Sequence, residues 1–257
     1  MSPRGSSTIA GARILVTGAS SGIGYALSNL LVSRGAKVFG TGRCAGDLHR
    51  LDFVGTLVCD LLEPGAPEEV VDQAVRALGG LDILVSNAGA GWAGRYDEMP
   101  APELDRILDL NLRVPMHLAR AAAPQLANGG QLVLIGSIAG LVGVGQEAAY
   151  AAAKAGLRGL ADSLREEWPN ATVTLVSPGP VDTAFFRRRN RPYLRSWPKP
   201  LPVARVVVSI AHALEHRRSE VVVPSWLSLA ARLNGGLPGL YRALAGLNRQ
   251  HLRSGHL

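Results

Sequence analysis

Seven short, mostly apolar runs punctuate the chain, and most of the intervals between them are long enough to hold a helix. The runs cover residues 13–17, 37–41, 56–60, 81–86, 131–136, 172–177 and 220–223. Most are rich in valine, isoleucine and leucine on both faces, the pattern of strands covered by helices on two sides. Helical patterns occupy residues 22–34, 67–78, 102–126, 148–168 and 202–216. Repeated β-α units of this kind predict an α/β protein built on a doubly wound parallel sheet of about seven strands.

A chain of 257 residues suits one such unit, and no second domain, repeat or long linker is visible. Residues 1–12 read as a flexible N-terminus, 13–224 as the α/β domain and 225–257 as a C-terminal extension. In the extension, Trp226, Leu229, Ala230 and Leu233 recur at helical spacing. After Gly235-Gly236 the pattern resumes with Leu237, Leu240, Tyr241, Leu244 and Leu247, predicting two short amphipathic helices. Their apolar faces are expected to pack on the core or a second subunit, with peripheral membrane contact as the alternative.

Residues 1–12 lack a secretory pattern, and no run of about 18 apolar residues exists, so no membrane span is expected. Cys44 and Cys59 lack disulfide-framework or metal spacing and read as reduced thiols of a cytoplasmic protein. The formal charge of +7 raises nucleic-acid binding, but the basic residues are scattered and no nucleic-acid module surrounds them. Of the 27 basic residues only Lys37, Lys154 and Lys199 are lysines, which makes each lysine informative.

The run 13–17 leads directly into Gly18-Ala19-Ser20-Ser21-Gly22-Ile23-Gly24 and then a helical pattern. Glycines at a strand-to-helix turn let the backbone approach a pyrophosphate and aim helix N–H groups at it. The second run is followed by Gly42-Arg43, where dinucleotide sites meet the adenosine ribose. No carboxylate stands there to accept from a ribose 2′-hydroxyl. Arg43 would instead pair with a 2′-phosphate, which points to NADP(H) over NAD(H). Asp60, with Leu61 after it, is placed to meet the adenine amino group.

Tyr150-Ala-Ala-Ala-Lys154 lies in the helical stretch 148–168, and i, i+4 spacing puts both side chains on one face. An ammonium beside a phenol lowers its pKa, and a phenol near its pKa can exchange a proton with a carbonyl oxygen or an alcohol. Ser137 follows the run 131–136 at the carboxyl edge of the sheet, where open-sheet ligands bind. Asn111 stands inside a helical pattern where asparagine has poor propensity. It reads either as a tolerated polar position or as part of a buried relay.

Taken together, Thr17-Gly18-x-x-x-Gly22-x-Gly24, Asp60, Asn87-Ala88-Gly89, Asn111, Ser137, Tyr150-x-x-x-Lys154 and Pro178-Gly179 resemble the motifs of the short-chain dehydrogenase/reductase family. The resemblance runs from about residue 13 to 223 and implies a Rossmann-like fold and an oxidoreductase acting on CH–OH and C=O groups. It makes Tyr150 the general acid and a cofactor contact, with Lys154 tuning it and bonding the nicotinamide ribose. Ser137 would orient the substrate carbonyl, and Asn111 would hold a relay water. Gly18, Ser20, Ser21, Gly22, Ile23, Gly24, Asn87, Ala88 and Gly89 would contact the cofactor. Pro178, Gly179, Val181 and Thr183 would contact its nicotinamide end. No metal is implied, because hydride passes directly between cofactor and substrate. Ser86 departs from the family's more usual asparagine.

By the same resemblance, Trp92, Tyr96, Leu141, Val142, Val144 and Phe185, with the rest of 181–197, would wall a pocket for a hydrophobic carbonyl. Arg187, Arg188, Arg189 and Arg191 fall in the family's mobile lid and suit an acidic or carrier-linked substrate, a CoA thioester for example. A homodimer or homotetramer is expected. Two other functions compete with a ketone reductase: a non-catalytic NADP-binding sensor or scaffold, and an epimerase or dehydratase using the cofactor transiently.

Overall fold

Strands that are apolar on both faces need cover on both faces, and the helices between them supply it. The computed structural model describes residues 8–193, 198–237 and 239. Its strands are β1 (Arg13–Thr17), β2 (Lys37–Gly42), β3 (Gly55–Val58), β4 (Ile83–Ser86), β5 (Gln131–Ile135), β6 (Thr172–Pro178) and β7 (Glu220–Val223). They form one sheet in the order β3-β2-β1-β4-β5-β6-β7, with every neighbouring pair parallel. The helices are α1 (Gly22–Ser33), α2 (Ala45–Leu48), α3 (Ala66–Leu78), α4 (Ala101–Leu108) and α5 (Val114–Leu126). They continue with α6 (Ala148–Glu167), α7 (Phe185–Arg188), α8 (Val203–Glu215) and α9 (Leu227–Gly236).

Adjacent strand residues point to opposite faces. Leu15, Leu84, Leu132 and Leu134 pack with Val70 and Ala74 of α3, Leu118 of α5 and Leu157 of α6. Ile14, Val16, Ile83, Val85 and Val133 pack on the other face with Leu27 and Leu31 of α1 and Val206 and Ile210 of α8. Fully burying each such side chain contributes about 1.5–3 kcal/mol. The strand order reverses between β1 and β4, which opens the crevice where ligands bind such sheets. Arg13 and Asp82 tie these two strands at their other end through a 2.6 Å ion pair.

Four expectations need correction. The helix expected over 102–126 is interrupted: residues Asp109–Arg113 form one π-helical turn between α4 and α5. Pro115 has no N–H to give the Asn111 carbonyl, so the regular i to i+4 ladder cannot pass through this point. Strand β3 stops at Val58, so Asp60 lies in the loop beyond it. Of the N-terminus expected to be flexible, Ile9 is buried in the core beside α1, and residues 1–7 lie outside the described residues. Helix α9 continues through Gly235 and Gly236, whereas Leu240, Tyr241, Leu244 and Leu247 of the expected second helix lie outside the described residues.

Candidate active site

The C-terminal ends of β1 and β4 are joined by a buried hydroxyl. Thr17 Oγ1 accepts from the backbone N–H groups of Asn87 (3.0 Å) and Ala88 (3.1 Å), and Asn87 Nδ2 donates to the Thr17 carbonyl at 2.9 Å. This network fixes the turn that follows. Gly18 has φ +66°, and a Cβ added to Gly24 would lie 2.2 Å from the Gly18 carbonyl oxygen. Only glycine fits such a position, so the turn can fold back tightly ahead of α1. Ser21, the N-cap of α1, makes no side-chain bond to the helix, and no acidic residue stands in the first turn. A helix N-terminus of this kind favours an anion.

From this turn a cavity of about 1180 Å³ runs along the sheet edge. Gly18, Ser20, Ser21, Gly22 and Ile23 line it, as do Arg43, Asp60 and Leu61 and the stretch Asn87-Ala88-Gly89. Its other end is bordered by Asn111, Ser137, Tyr150, Lys154, Pro178, Gly179, Val181 and Thr183. Gly24 lies behind the wall, where it lets α1 approach the turn. Arg43 is exposed, with Nη1 3.9 Å from Asp60 Oδ2. Asp60 Oδ1 also accepts from Leu62 N at 3.1 Å, so this aspartate shapes its own turn as well.

Ser137 ends the β5 connection and opens a short 3-10 turn, its Oγ accepting from Ala139 N at 3.1 Å. Tyr150 borders the same end of the cavity. Burial pushes the Tyr150 hydroxyl above the ordinary phenol range; the Ser137 hydroxyl opposes this, Glu147 adds to it and Arg189 opposes it. Lys154 is only 6% exposed, and its Nζ donates to the Ile135 carbonyl at 2.8 Å. Burial lowers its pKa to about 7. The expected pairing, in which the ammonium makes the phenol acidic, is therefore not the dominant effect here. Nζ lies 5.7 Å from the Tyr150 ring centroid, and desolvation of each charged form outweighs their attraction.

The π turn places Asn111 at the same end. Its Nδ2 donates to the carbonyls of Ala90 and Ile107, both at 2.9 Å, while the buried Oδ1 has no hydrogen-bond partner. Gly89 separates it from the lysine: a Cβ there would stand 2.7 Å from Asn111 Oδ1 and 3.6 Å from Lys154 Nζ. An orphaned amide oxygen close to an amine, on the wall of an open cavity, is a seat for a bridging water.

The substrate side differs from expectation in part. Val142, Val144 and Phe185 line the cavity, but Trp92, Tyr96 and Leu141 do not. Trp92 is packed against Ile107 and Ala149, and Tyr96 is 60% exposed on a 3-10 turn. Leu141 meets α9 instead, its backbone carbonyl accepting from Asn234 Nδ2 at 3.1 Å. In their place stand Phe186, Tyr193, Trp226, Leu227, Ala230 and Leu233. The last four lie on α9 and the residue before it, so Trp226, Ala230 and Leu233 of the face expected to pack on the core border the cavity, joined by Leu227, whereas Leu229 of that face is 71% exposed. Helical spacing marked that face in the sequence, but nothing local said what it would meet. Of the expected lid, residues 194–197 lie outside the described residues. Among its arginines, Arg188 Nη1 donates to Ser21 Oγ at 3.0 Å, and Arg191 lies 3.6 Å from Glu98.

His212 and Glu215 of α8 and His216, which caps it, bring metal-ligand atom types within 4.8 Å of one another, but they do not line this cavity, and Glu215 is engaged by Arg34 at 2.8 Å.

Comparison with known proteins agrees with this architecture. The family described as short chain dehydrogenase matches residues 12–193. The chain belongs to that family. It is 37% identical over 182 residues to the 3-oxoacyl-[acyl-carrier-protein] reductase FabG of Escherichia coli, covering 67% of this chain and 75% of that protein. It is 36% identical over 176 residues to the cyclic-di-GMP-binding biofilm dispersal mediator protein of the same organism, covering 67% and 74%. A short chain dehydrogenase from Burkholderia cenocepacia, solved in complex with NADP, superposes with a TM-score of 0.73 at 29% identity, covering 84% of this chain and 97% of that one. The chain is thus an oxidoreductase-family protein with the doubly wound fold of its relatives.

Proposed function

We propose that the protein is an NADP(H)-dependent ketone reductase, or alcohol dehydrogenase in reverse, acting on a hydrophobic substrate. One observation carries the reading: Ser137, Tyr150 and Lys154 share a single cavity with the glycine turn and Arg43. A bound nicotinamide cofactor would supply or take up the hydride. Gly18, Ser20, Ser21, Gly22 and Ile23 would hold its pyrophosphate, and Arg43 its 2′-phosphate. The solved relative carrying NADP supports that cofactor.

Ser137 and Tyr150 would grip the substrate oxygen. Tyr150 gives its proton as negative charge grows there, or accepts one from an alcohol in the reverse direction. Lys154, with a pKa near neutrality, and a water on Asn111 Oδ1 return that proton from solvent. Phe185, Phe186, Val142 and the α9 face provide an apolar seat. Similarity to an acyl-carrier-protein reductase supports a carrier- or CoA-linked form of substrate, with exposed Arg187 of the lid to meet its phosphates. We further place the protein in the cytoplasm as a homodimer or homotetramer, the state expected from its family. The division into an α/β domain over 13–224 and an extension over 225–257 is kept, with α9 serving the same cavity.

The test is loss of reduced-cofactor absorbance when NADPH or NADH is mixed with ketones of increasing chain length, free and as CoA thioesters. Turnover with NADPH, rising with chain length, is expected. The similarity to a cyclic-di-GMP-binding protein favours a second reading, a nucleotide-binding regulator. Tight cyclic-di-GMP or NADPH binding with no turnover across the panel would select it.

A further inference from the structure

The lid is fastened to the catalytic helix by a buried ion pair that the proposed chemistry leaves unexplained. Arg189 Nη1 lies 2.7 Å from Glu147 Oε1, and their side chains are 5% and 14% exposed. The arginine also donates from Nε to the Arg191 carbonyl at 2.7 Å and from Nη2 to the Pro192 carbonyl at 3.4 Å. Its guanidinium rests 4.7 Å from the Phe186 ring centroid and 5.9 Å from that of Tyr193. Glu147 is the N-cap residue of α6, three positions before Tyr150, yet it makes no side-chain capping bond and reaches to the lid instead. Phe185, in the same segment, meets the Tyr150 ring at 5.7 Å between centroids.

Burying two charges costs more than an apolar contact of equal size unless the pair is well bonded, so mere fastening does not call for it. What distinguishes this pair is its position. Glu147 borders the cavity that Tyr150 borders, and Arg189 pairs with it there. A nearby negative charge disfavours the phenolate and a positive one favours it. The other groups that border the cavity at this end are Ser137 from the β5 edge, Lys154 from α6 itself, Asn111 from the π turn and Arg106 from α4. Arg106 is engaged by Glu103 at 2.8 Å, and Lys154 is turned to Ile135. From the lid, Arg188 also borders the cavity but donates to Ser21 Oγ at 3.0 Å, so Arg189 is the lid charge that meets Glu147.

We infer that the Glu147–Arg189 pair is a positioning device for Tyr150: docking of the lid brings Arg189 onto Glu147, cancels the carboxylate's influence on the phenol, and so couples lid closure to proton transfer. This rests on the reading of Tyr150 as the proton-transferring group.

The test compares the full-length protein with Arg189→Met, Glu147→Gln and the double variant. It uses the pH profile of kcat/KM for alcohol oxidation and hydrogen exchange of the backbone amides in 182–193. Arg189→Met leaves the carboxylate unopposed, so the alkaline rise should move up by about one pH unit. Glu147→Gln should move it down, and the double variant should return close to the parent. Arg189→Lys, which keeps the charge, should restore the profile. Lid exchange should rise at least about tenfold in all three variants that lack the pair. Faster lid exchange with an unmoved profile, or with both single variants shifting the same way, would reduce the pair to a fastener and overturn the coupling. If the parent oxidises no alcohol, the reading of Tyr150 itself fails. Hydrogen exchange would then still show whether the pair holds the lid, and unchanged exchange would overturn that part as well.

Discussion

The glycine-turn end of the cavity is built from backbone and small side chains where the adjacent strands β1 and β4 end, whereas the opposite end is assembled from three separated segments. At the first, Thr17, Gly18, Gly24 and Asn87 interlock at distances that leave no room for a methyl group. At the second, the wall combines the turn after Ser137, the lid around Phe185 and Phe186, and the face of α9. Under the proposed function the first end holds an invariant pyrophosphate, which gains from tight, pre-formed geometry. An end that selects a substrate is free to vary its side chains on a fixed frame.

This contrast predicts unequal responses to a single added group. Gly24→Ala places a methyl against the Gly18 carbonyl, so it should lower stability by about 1–3 kcal/mol or more and weaken NADPH binding at least about tenfold. Thermal unfolding and cofactor fluorescence titration would measure both. Ala230→Trp at the other end should leave folding and cofactor affinity intact and cut kcat/KM about tenfold for long-chain ketones but not for short ones. Equal losses from the two substitutions would break the comparison. A smaller effect is expected at the rim: Arg43→Ala should reduce kcat/KM for NADPH by about tenfold, with NADH unchanged.

Lys154 supplies a pH test of the reacting end. Its folded pKa of about 7 lies below the value of about 10.4 for a free lysine, so the unfolded chain binds more protons between these limits. Stability should therefore rise with pH across roughly pH 7 to 10. The raised Tyr150 pKa acts oppositely above about pH 10, because there the folded protein keeps a proton that the unfolded chain releases. Lys154→Met should flatten the rise, as followed by urea unfolding at several pH values.

The same contrast explains what the sequence revealed. Strands β1 and β7 have the bounds that their apolar runs suggested, and the glycine turn was recognisable because its requirements are local. The π turn was hidden because Leu110 and Leu112 maintain an apolar pattern while Pro115 changes the hydrogen bonding beneath it. Trp92, Tyr96 and Leu141 were misplaced because loop direction at the sheet edge is set by packing on Ile107 and α9, which no short-range pattern encodes. Glu147 carried one usable signal, a carboxylate three residues before Tyr150. Its partner Arg189 is 42 positions away, in a run of arginines that was expected to meet an acidic substrate.

The central claim is that Tyr150 transfers the proton at a site whose cofactor end is independent of it. The most direct measurement is NADPH oxidation with a ketone that the parent reduces, compared with Tyr150→Phe, alongside NADPH affinity for both. The account predicts a loss of at least about a hundredfold in kcat with cofactor affinity unchanged within about threefold. Turnover near the parent level in Tyr150→Phe, or equal loss of turnover and cofactor affinity, would contradict it.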